Sequence, residues 1–139
     1  MSESNYDFGG LNEHAIGIVG KAVIARTVRE ILLYRHNLVV EDKGDPKKGD
    51  KKTNADDAAQ DRGVNTIQEC TPNFGIVAEE DHFRTECAHP THDIWWTLDG
   101  VDGTKALVRG ESGGVASMLS LIYDGEIVMA WIGDALVNE

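Results

Sequence analysis

Residues 93–104, DIWWTLDGVDGT, join a strand-forming run to an acidic turn. Asp93–Leu98 is rich in aromatic and β-branched side chains, a composition typical of a β-strand. Asp99 and Asp102 follow it three residues apart, and the glycines around them permit a tight backbone. The pattern predicts a strand that ends in paired carboxylates.

Two helices are predicted before this stretch. Between Leu11 and Tyr34, apolar positions recur at intervals of three and four residues, the spacing of one helical face. A second helix is expected to begin after Thr53, whose hydroxyl can cap the first turn, with Asp56 completing a capping-box pattern. This helix should end near Glu69, ahead of a Thr-Pro-Asn break.

Further strands are predicted on both sides of the acidic turn. Phe74–Ala78 is a short apolar run, and Val115–Tyr123 and Glu126–Ile132 flank an Asp-Gly pair, the pattern of a tight hairpin. Helices come first and strands later, so we expect a layered α+β fold of helices on an antiparallel sheet. The hairpin strands are expected to expose a sheet edge, which favours a homodimer.

The length of 139 residues predicts a single domain, residues 1–139, with enough apolar side chains for one core. Within it, residues 41–52 interleave lysines with acids, glycines and a proline, so we expect an exposed loop there. Cys70 and Cys87 match no zinc-binding spacing, and we expect free thiols.

Charge and hydropathy exclude several classes of partner. The chain has 24 acidic and 13 basic residues, a net charge of −11, which repels nucleic-acid polymers and anionic membranes. No run approaches the roughly eighteen apolar residues that a membrane span requires. The first residues, MSESN, lack the basic start and apolar stretch of a secretory signal, so we expect a cytoplasmic protein.

Acidic residues are concentrated between positions 79 and 102, where Arg84 is the single basic residue. Several of them follow predicted strands directly, and neighbouring strand ends can bring them together. Carboxylates held close repel each other, and a hard divalent cation such as Mg2+ relieves that repulsion. Separate solvation of acids at loop starts is the alternative. The seven carboxylates are Glu79, Glu80, Asp81, Glu86, Asp93, Asp99 and Asp102.

The acidic turn combines groups for a metal with groups for a phosphate. Asp99 and Asp102 can both reach a cation. The backbone amides of Gly103, Thr104 and Lys105 open a short helix and can point at a phosphate. The hydroxyl of Thr104 can also orient a water molecule. The turn therefore predicts a metal-assisted phosphoryl site.

Four segments, in this order, resemble the Mg2+-dependent, lithium-sensitive phosphatase superfamily of inositol monophosphatases, fructose bisphosphatases and 3'(2'),5'-bisphosphate nucleotidases. The first three are similar to the family's Thr-x-x-Asp, Gly-Glu-Glu and Asp-Pro-Ile-Asp-Gly-Thr motifs, with Gly100 standing where the family has proline. The resemblance runs from about Thr53 to Ile132 and covers the N-terminal half of the family fold. The segments are residues 53–60 (TNADDAAQ), 77–81 (VAEED), 96–104 (WTLDGVDGT) and 105–111 (KALVRGE).

The resemblance also implies roles for individual residues. Glu79 and Thr104 would position the attacking water, with Asp56 assisting, and no covalent enzyme intermediate would be required. Glu80 would support the surrounding shell. Two or more Mg2+ ions would be held by Glu79, Asp99, Asp102, Asp56 and the main-chain carbonyl of Val101.

The AAQ ending of the first segment and the KALVRGE segment resemble nucleotidases of the phosphoadenosine-phosphate type. They imply a small phosphorylated substrate, adenosine 3',5'-bisphosphate, whose 3'-phosphate would be hydrolysed to give AMP and phosphate. An inositol or sugar monophosphatase is the alternative within the superfamily. Because the resemblance covers half of the family fold, a second class of function stays open: a non-catalytic, metal-binding remnant or part of an assembly.

Overall fold

Two long helices precede most of the strands, as the sequence predicts. The computed structural model describes residues 5–44 and 49–135. Along these residues the helices are α1 (Glu13–Tyr34), α2 (Asn54–Cys70) and α3 (Thr104–Val108). The strands are β1 (Val40–Asp42), β2 (Lys51–Thr53), β3 (Gly75–Ala78), β4 (Arg84–Thr85), β5 (Ile94–Asp102), β6 (Ala116–Tyr123) and β7 (Glu126–Asp134). A 3-10 turn, Glu80–His82, connects β3 to β4.

The main sheet has the strand order β4-β3-β5-β6-β7 within the described residues. All neighbours are antiparallel except β3 and β5, which are parallel. The α+β prediction is confirmed, and the predicted antiparallel sheet gains one parallel pair. That pair matters for the site, because the carboxyl ends of parallel strands lie at the same edge of a sheet.

Helices α1 and α2 cover one face of this sheet. Ile16 and Val23 of α1 pack in one buried cluster with Trp96 of β5. At Gly20 the helix has no side chain, and the Trp131 ring fills the space so closely that an added Cβ would lie 2.1 Å from it. The predicted face of α1 is confirmed, since the buried residues are Ile16, Val19, Gly20, Val23, Thr27 and Ile31.

The prediction that residues 41–52 form an exposed loop is wrong at both ends of the segment. Strands β1 and β2 pair antiparallel, with Glu41 opposite Lys52 and Asp42 opposite Lys51. Cross-strand pairs of opposite charge support such a ribbon without an apolar face, so its sequence lacks the alternation that identifies most strands. Residues 45–48 of the predicted loop lie outside the described residues.

The C-terminal hairpin is confirmed. Asp124 and Gly125 both have positive φ, 49° and 87°, as a two-residue hairpin turn requires. Strand β7 lies at one edge of the described sheet, and Ile127 and Ile132 are 69% and 67% exposed. Cys70 and Cys87 are free thiols. In the part of the chain that the structure describes, no helix is long and apolar enough to cross a membrane.

Candidate metal and phosphate site

The parallel strands β3 and β5 place two acidic residues side by side. Ala78 and Leu98 are register partners at the ends of the paired region, and the Glu79 amide donates to the Leu98 carbonyl at 3.2 Å. The residue that follows each of these partners is acidic, and the carboxyl groups of Glu79 and Asp99 lie close enough for their interaction to shift the pKa of both. Two of the predicted metal ligands therefore meet at this sheet edge.

Asp99 is the member of this pair that keeps its proton to the higher pH. Burial, then the hydrogen bond and negative charge of Glu79, and then the charges of Asp102 and Glu80 together raise the pKa of Asp99 to about 7. The hydrogen bond from Asp99 lowers the pKa of Glu79 against the effect of its burial, and Lys43 adds to that lowering. The pair has the electrostatics of crowded carboxylates.

A cavity of about 360 Å³ opens beside this pair. Lys43, Asp50 and Lys51, from and next to the β1–β2 ribbon, form one side of it. The other side carries every predicted metal and phosphate residue except Asp56. Those residues are Glu79, Asp99, Val101, Asp102, Gly103, Thr104 and Lys105.

Asp56 lies behind the cavity wall rather than in it. The residue is 2% exposed and completes the predicted capping box, accepting from the amide and hydroxyl of Thr53 at 2.9 and 2.6 Å. Its other oxygen accepts from the Thr104 hydroxyl at 2.8 Å. Asp56 thereby ties the first turn of α2 to the first turn of α3, one hydrogen bond away from the cavity.

The residues around the cavity suit a hard divalent cation by their chemistry. Their oxygen donors are carboxylates and a hydroxyl, the ligands that Mg2+ prefers, and the ammonium groups of Lys43, Lys51 and Lys105 line the same cavity. Glu80, 5% exposed, has a buried Oε2 without a hydrogen-bond partner in the described part of the chain. Among residues 5–44 and 49–135, however, no three His, Cys, Asp or Glu side chains are grouped closely enough to hold a metal ion. The donors fit Mg2+, but their side chains are not gathered into a ligand set.

The sequence matches the family model described as the inositol monophosphatase family over residues 13–139. The chain belongs to the inositol monophosphatase family. Within this family it is similar to the Nus factor SuhB of Xylella fastidiosa, with 30% identity over 131 residues that are 93% of this chain and 44% of that protein.

Solved structures of the inositol monophosphatase family share the fold. The extragenic suppressor protein SuhB of Bartonella henselae superposes with a TM-score of 0.77 at 24% identity, over 88% of this chain and 46% of that one. An IMPase/NADP phosphatase complexed with Mg2+ and phosphate gives a TM-score of 0.71 at 20% identity, over 88% and 45%. The chain spans less than half the length of the relatives it matches.

Lys43 also belongs to the site, although no motif in the sequence identifies it. Its Nζ lies 3.3 Å from Glu79 Oε1 and 3.2 Å from Glu80 Oε1. Burial opposes the charge of Lys43, but the hydrogen bonds and charges of Glu80 and then Glu79 outweigh it and raise the pKa of Lys43. The lysine supplies the positive charge that the acidic segment lacks, which explains why the carboxylates turn toward it.

The departure from the family's proline at Gly100 has a packing reason. An added Cβ at Gly100 would lie 3.0 Å from the backbone nitrogen of Gln60 and 3.2 Å from Cβ of Ala59, so α2 approaches this turn closely. Gly103 is restricted more strongly, with φ of +88° and an added Cβ only 1.9 Å from the Gly114 carbonyl oxygen. The prediction of a turn directly after Leu98 is wrong, because β5 continues to Asp102 with a shift of register between Asp99 and Asp102, and Gly103 begins the turn into α3.

Proposed function

We propose that this chain carries the acidic half of a metal-dependent phosphomonoesterase site of the inositol monophosphatase type. The observation that supports it is the meeting of Glu79 and Asp99 beside a cavity whose wall also holds Asp102 and Thr104. Crowded carboxylates, one of which keeps its proton to about pH 7, are suited to exchange that proton for a divalent cation.

In this proposal Glu79, Asp99, Asp102 and the Val101 carbonyl hold Mg2+, and Asp56 serves a second ion. Bound Mg2+ would lower the pKa of a water molecule that it coordinates, and it would neutralise negative charge on the phosphoryl group. The number of ions, two or more, is part of the proposal.

The protein's own groups would position the attacking water. The Thr104 hydroxyl donates its proton to Asp56, which leaves its oxygen free to accept a hydrogen bond from water in the cavity. Glu79 has a lowered pKa and side-chain exposure of 49%, so it is ionised and accessible as a proton acceptor at the cavity mouth. Gly103, Thr104 and Lys105 would face the substrate phosphate.

The specific substrate that the sequence motifs favour is adenosine 3',5'-bisphosphate, cleaved at its 3'-phosphate. An inositol or sugar monophosphate is the second candidate. The family match is compatible with both candidates. Gln60, from the motif that suggested a nucleotidase, does not distinguish them, because its side chain bonds to the protein's own backbone. Both are small phosphorylated substrates.

A non-catalytic metal-binding role is the alternative from another class. The carboxylates of Glu79, Asp99 and Asp102 around the cavity are compatible with it, since they can attract a cation without any substrate. Under this alternative the cavity binds a divalent cation and the residues that complete a substrate pocket come from elsewhere.

The test is phosphate release from adenosine 3',5'-bisphosphate and from inositol 1-phosphate, with and without Mg2+. Asp102→Asn is the blank, and Asp61→Asn, at an exposed position of α2, is the matched control. Mg2+-dependent release that disappears in Asp102→Asn and persists in Asp61→Asn supports the enzyme and identifies its substrate. Mg2+ binding without release from either substrate overturns catalysis by this chain and favours the metal-binding alternative.

A further inference from the structure

Gln60 makes two hydrogen bonds to the backbone of a single distant residue. Its Oε1 accepts from the Glu80 amide at 2.7 Å, and its Nε2 donates to the Glu80 carbonyl at 2.9 Å. Gln60 is 5% exposed, so water does not compete for these bonds. These two bonds resemble the pair that a neighbouring strand would make to the Glu80 backbone. A neutral carboxamide can make both at once, because it carries one donor group and one acceptor oxygen.

The backbone that Gln60 holds is strained. Asp81 and His82 follow Glu80 with φ values of 56° and 50°, in the left-handed region that side chains with a Cβ avoid. Such a conformation persists only where surrounding contacts enforce it. The backbone of this turn is also held by three backbone hydrogen bonds: the Phe83 amide to the Glu80 carbonyl at 3.2 Å, the Ala78 amide to the Phe83 carbonyl at 3.0 Å, and the Glu79 amide to the Leu98 carbonyl at 3.2 Å. Gln60 supplies the two side-chain bonds to this backbone, and Lys43 and Lys52 pair with the side chains of Glu80 and Asp81.

The conformation of this turn sets where two carboxylates point. Glu79 lies immediately before Glu80 and faces Asp99 at the cavity, while Glu80 itself is turned inward with Oε2 unpartnered. A rotation of the peptide between them would move Glu79 away from Asp99. No other described side chain hydrogen-bonds to the backbone of Glu80.

We propose that Gln60 is a positioning residue of the metal site: its carboxamide holds the Glu79–His82 turn so that Glu79 faces a divalent cation beside Asp99. The proposal rests on the metal site of the proposed function, but not on turnover. Gln60 itself touches neither metal nor substrate.

The test measures Mn2+ binding to the full chain by isothermal titration calorimetry for wild type, Gln60→Met and Gln60→Glu. Methionine keeps the volume and removes both hydrogen bonds, so we expect binding about tenfold weaker or more, the usual effect of removing such a support. Glutamate keeps the acceptor for the Glu80 amide but cannot donate to its carbonyl when ionised, so an intermediate loss is expected. Gln68→Met, the same change at an exposed position of α2, is the matched control and should bind as wild type does.

A second readout separates positioning from general stability. Amide hydrogen exchange, followed by NMR, should show the Glu80 amide protected in wild type and exposed in Gln60→Met, with the α1 and β5 amides unchanged. A purely structural role would instead lower the unfolding temperature and leave the affinity of the folded protein for Mn2+ unaltered. If Gln60→Met does not fold, Gln60→Glu and the exchange of the wild-type Glu80 amide decide the question, and fast exchange of that amide contradicts the proposal.

The outcomes distinguish this inference from the proposed function. Wild-type affinity in Gln60→Met overturns the positioning role and leaves the metal site intact. Weaker binding in Gln60→Met together with no phosphatase activity in wild type supports the positioning role and overturns catalysis. Absence of Mn2+ binding in wild type overturns the metal site and, with it, the role of Gln60.

Discussion

Glu79 and Asp99 follow directly on register partners of two parallel strands, and each carboxyl group shifts the pKa of the other. Because burial and the charge of Glu79 raise the pKa of Asp99 to about 7, folding places this carboxyl where its ionised form is disfavoured. The free energy of unfolding and the binding of cations should both depend on this pair.

Asp99→Asn is expected to stabilise the metal-free protein at pH 8. The pKa of Asp99 in the folded protein is above its ordinary value, so ionisation of Asp99 lowers the free energy of unfolding. The loss is absent below about pH 4, grows as pH rises toward 7, and is largest above pH 7. Asparagine removes the charge and can still donate to Glu79. Thermal unfolding in EDTA should show a higher midpoint for the variant at pH 8 and a difference that shrinks toward pH 4. A lower midpoint at pH 8 would contradict the pairing.

Mg2+ is expected to raise the unfolding temperature of wild type, and more at pH 8 than at pH 6. Asp99 must lose its proton to bind a cation, and at pH 6 most of it is protonated. At a Mg2+ concentration a hundredfold above Kd, the stabilisation should be about 2.7 kcal/mol. Differential scanning fluorimetry measures the shift. Asp99→Asn lacks a proposed metal ligand and should shift less, and Asp61→Asn is the matched control and should shift as wild type does. An equal shift in Asp99→Asn would place the ion elsewhere.

Thr104→Ala is expected to lower kcat in the Mg2+-dependent assay by about 100-fold, because the hydroxyl that orients water is removed. The same change leaves Asp56 Oδ1 without its 2.8 Å bond, at a cost of about 1–3 kcal/mol in the free energy of unfolding. Thr104→Ser keeps the hydroxyl and should retain most of both. Comparable kcat in the alanine and serine variants would remove Thr104 from the proposed chemistry.

Two glycines of α1 are expected to respond in opposite directions to alanine. At Gly20 the new Cβ would lie 2.1 Å from the Trp131 ring, so Gly20→Ala should destabilise the protein by about 1–3 kcal/mol. At Gly17 nothing lies within 4 Å, so Gly17→Ala should stabilise it by about 0.5–1 kcal/mol through helix propensity. Urea unfolding of the two variants provides the comparison, and destabilisation by both would show that α1 packs differently.

Self-association through the exposed side of β7 is expected, and Ile132→Lys should weaken it. Ile132 is 67% exposed on an edge strand, where an added lysine opposes pairing with another copy. Light scattering coupled to size-exclusion chromatography should detect a dimer of the wild type and a shift toward monomer in the variant. Monomeric wild type at high concentration would rule out the predicted homodimer.

Elements with strong local signals could be predicted from the sequence. The apolar period of α1, the Thr53–Asp56 capping box and the Asp-Gly turn between β6 and β7 each act within a few neighbouring residues, and each is confirmed. The β1–β2 ribbon could not be predicted, because its strands are three residues long and two of its three cross-strand pairs join charged side chains, Glu41 with Lys52 and Asp42 with Lys51.

The candidate site divides in the same way. Local sequence predicts the paired acidic residues Asp99 and Asp102, the glycine at position 103, and the capping of α2 by Thr53 and Asp56. Lys43 and Gln60 could not be assigned, since they reach Glu80 across 37 and 20 residues and no local pattern records such pairings.

The sequence by itself determined which residue types stand at the ends of β3 and β5, the glycines that permit the turn after β5, and the excess of negative charge that calls for a cation. Those properties depend on side-chain chemistry and on short-range backbone preference. The tertiary structure decided that Glu79 meets Asp99, that Asp56 lies behind Thr104, and that Lys43 faces the two glutamates. These relationships depend on the register of the parallel strands and on helix packing. Both are stabilised mainly by burial of apolar side chains that lie far along the chain from the acidic residues, so no local sequence pattern records them.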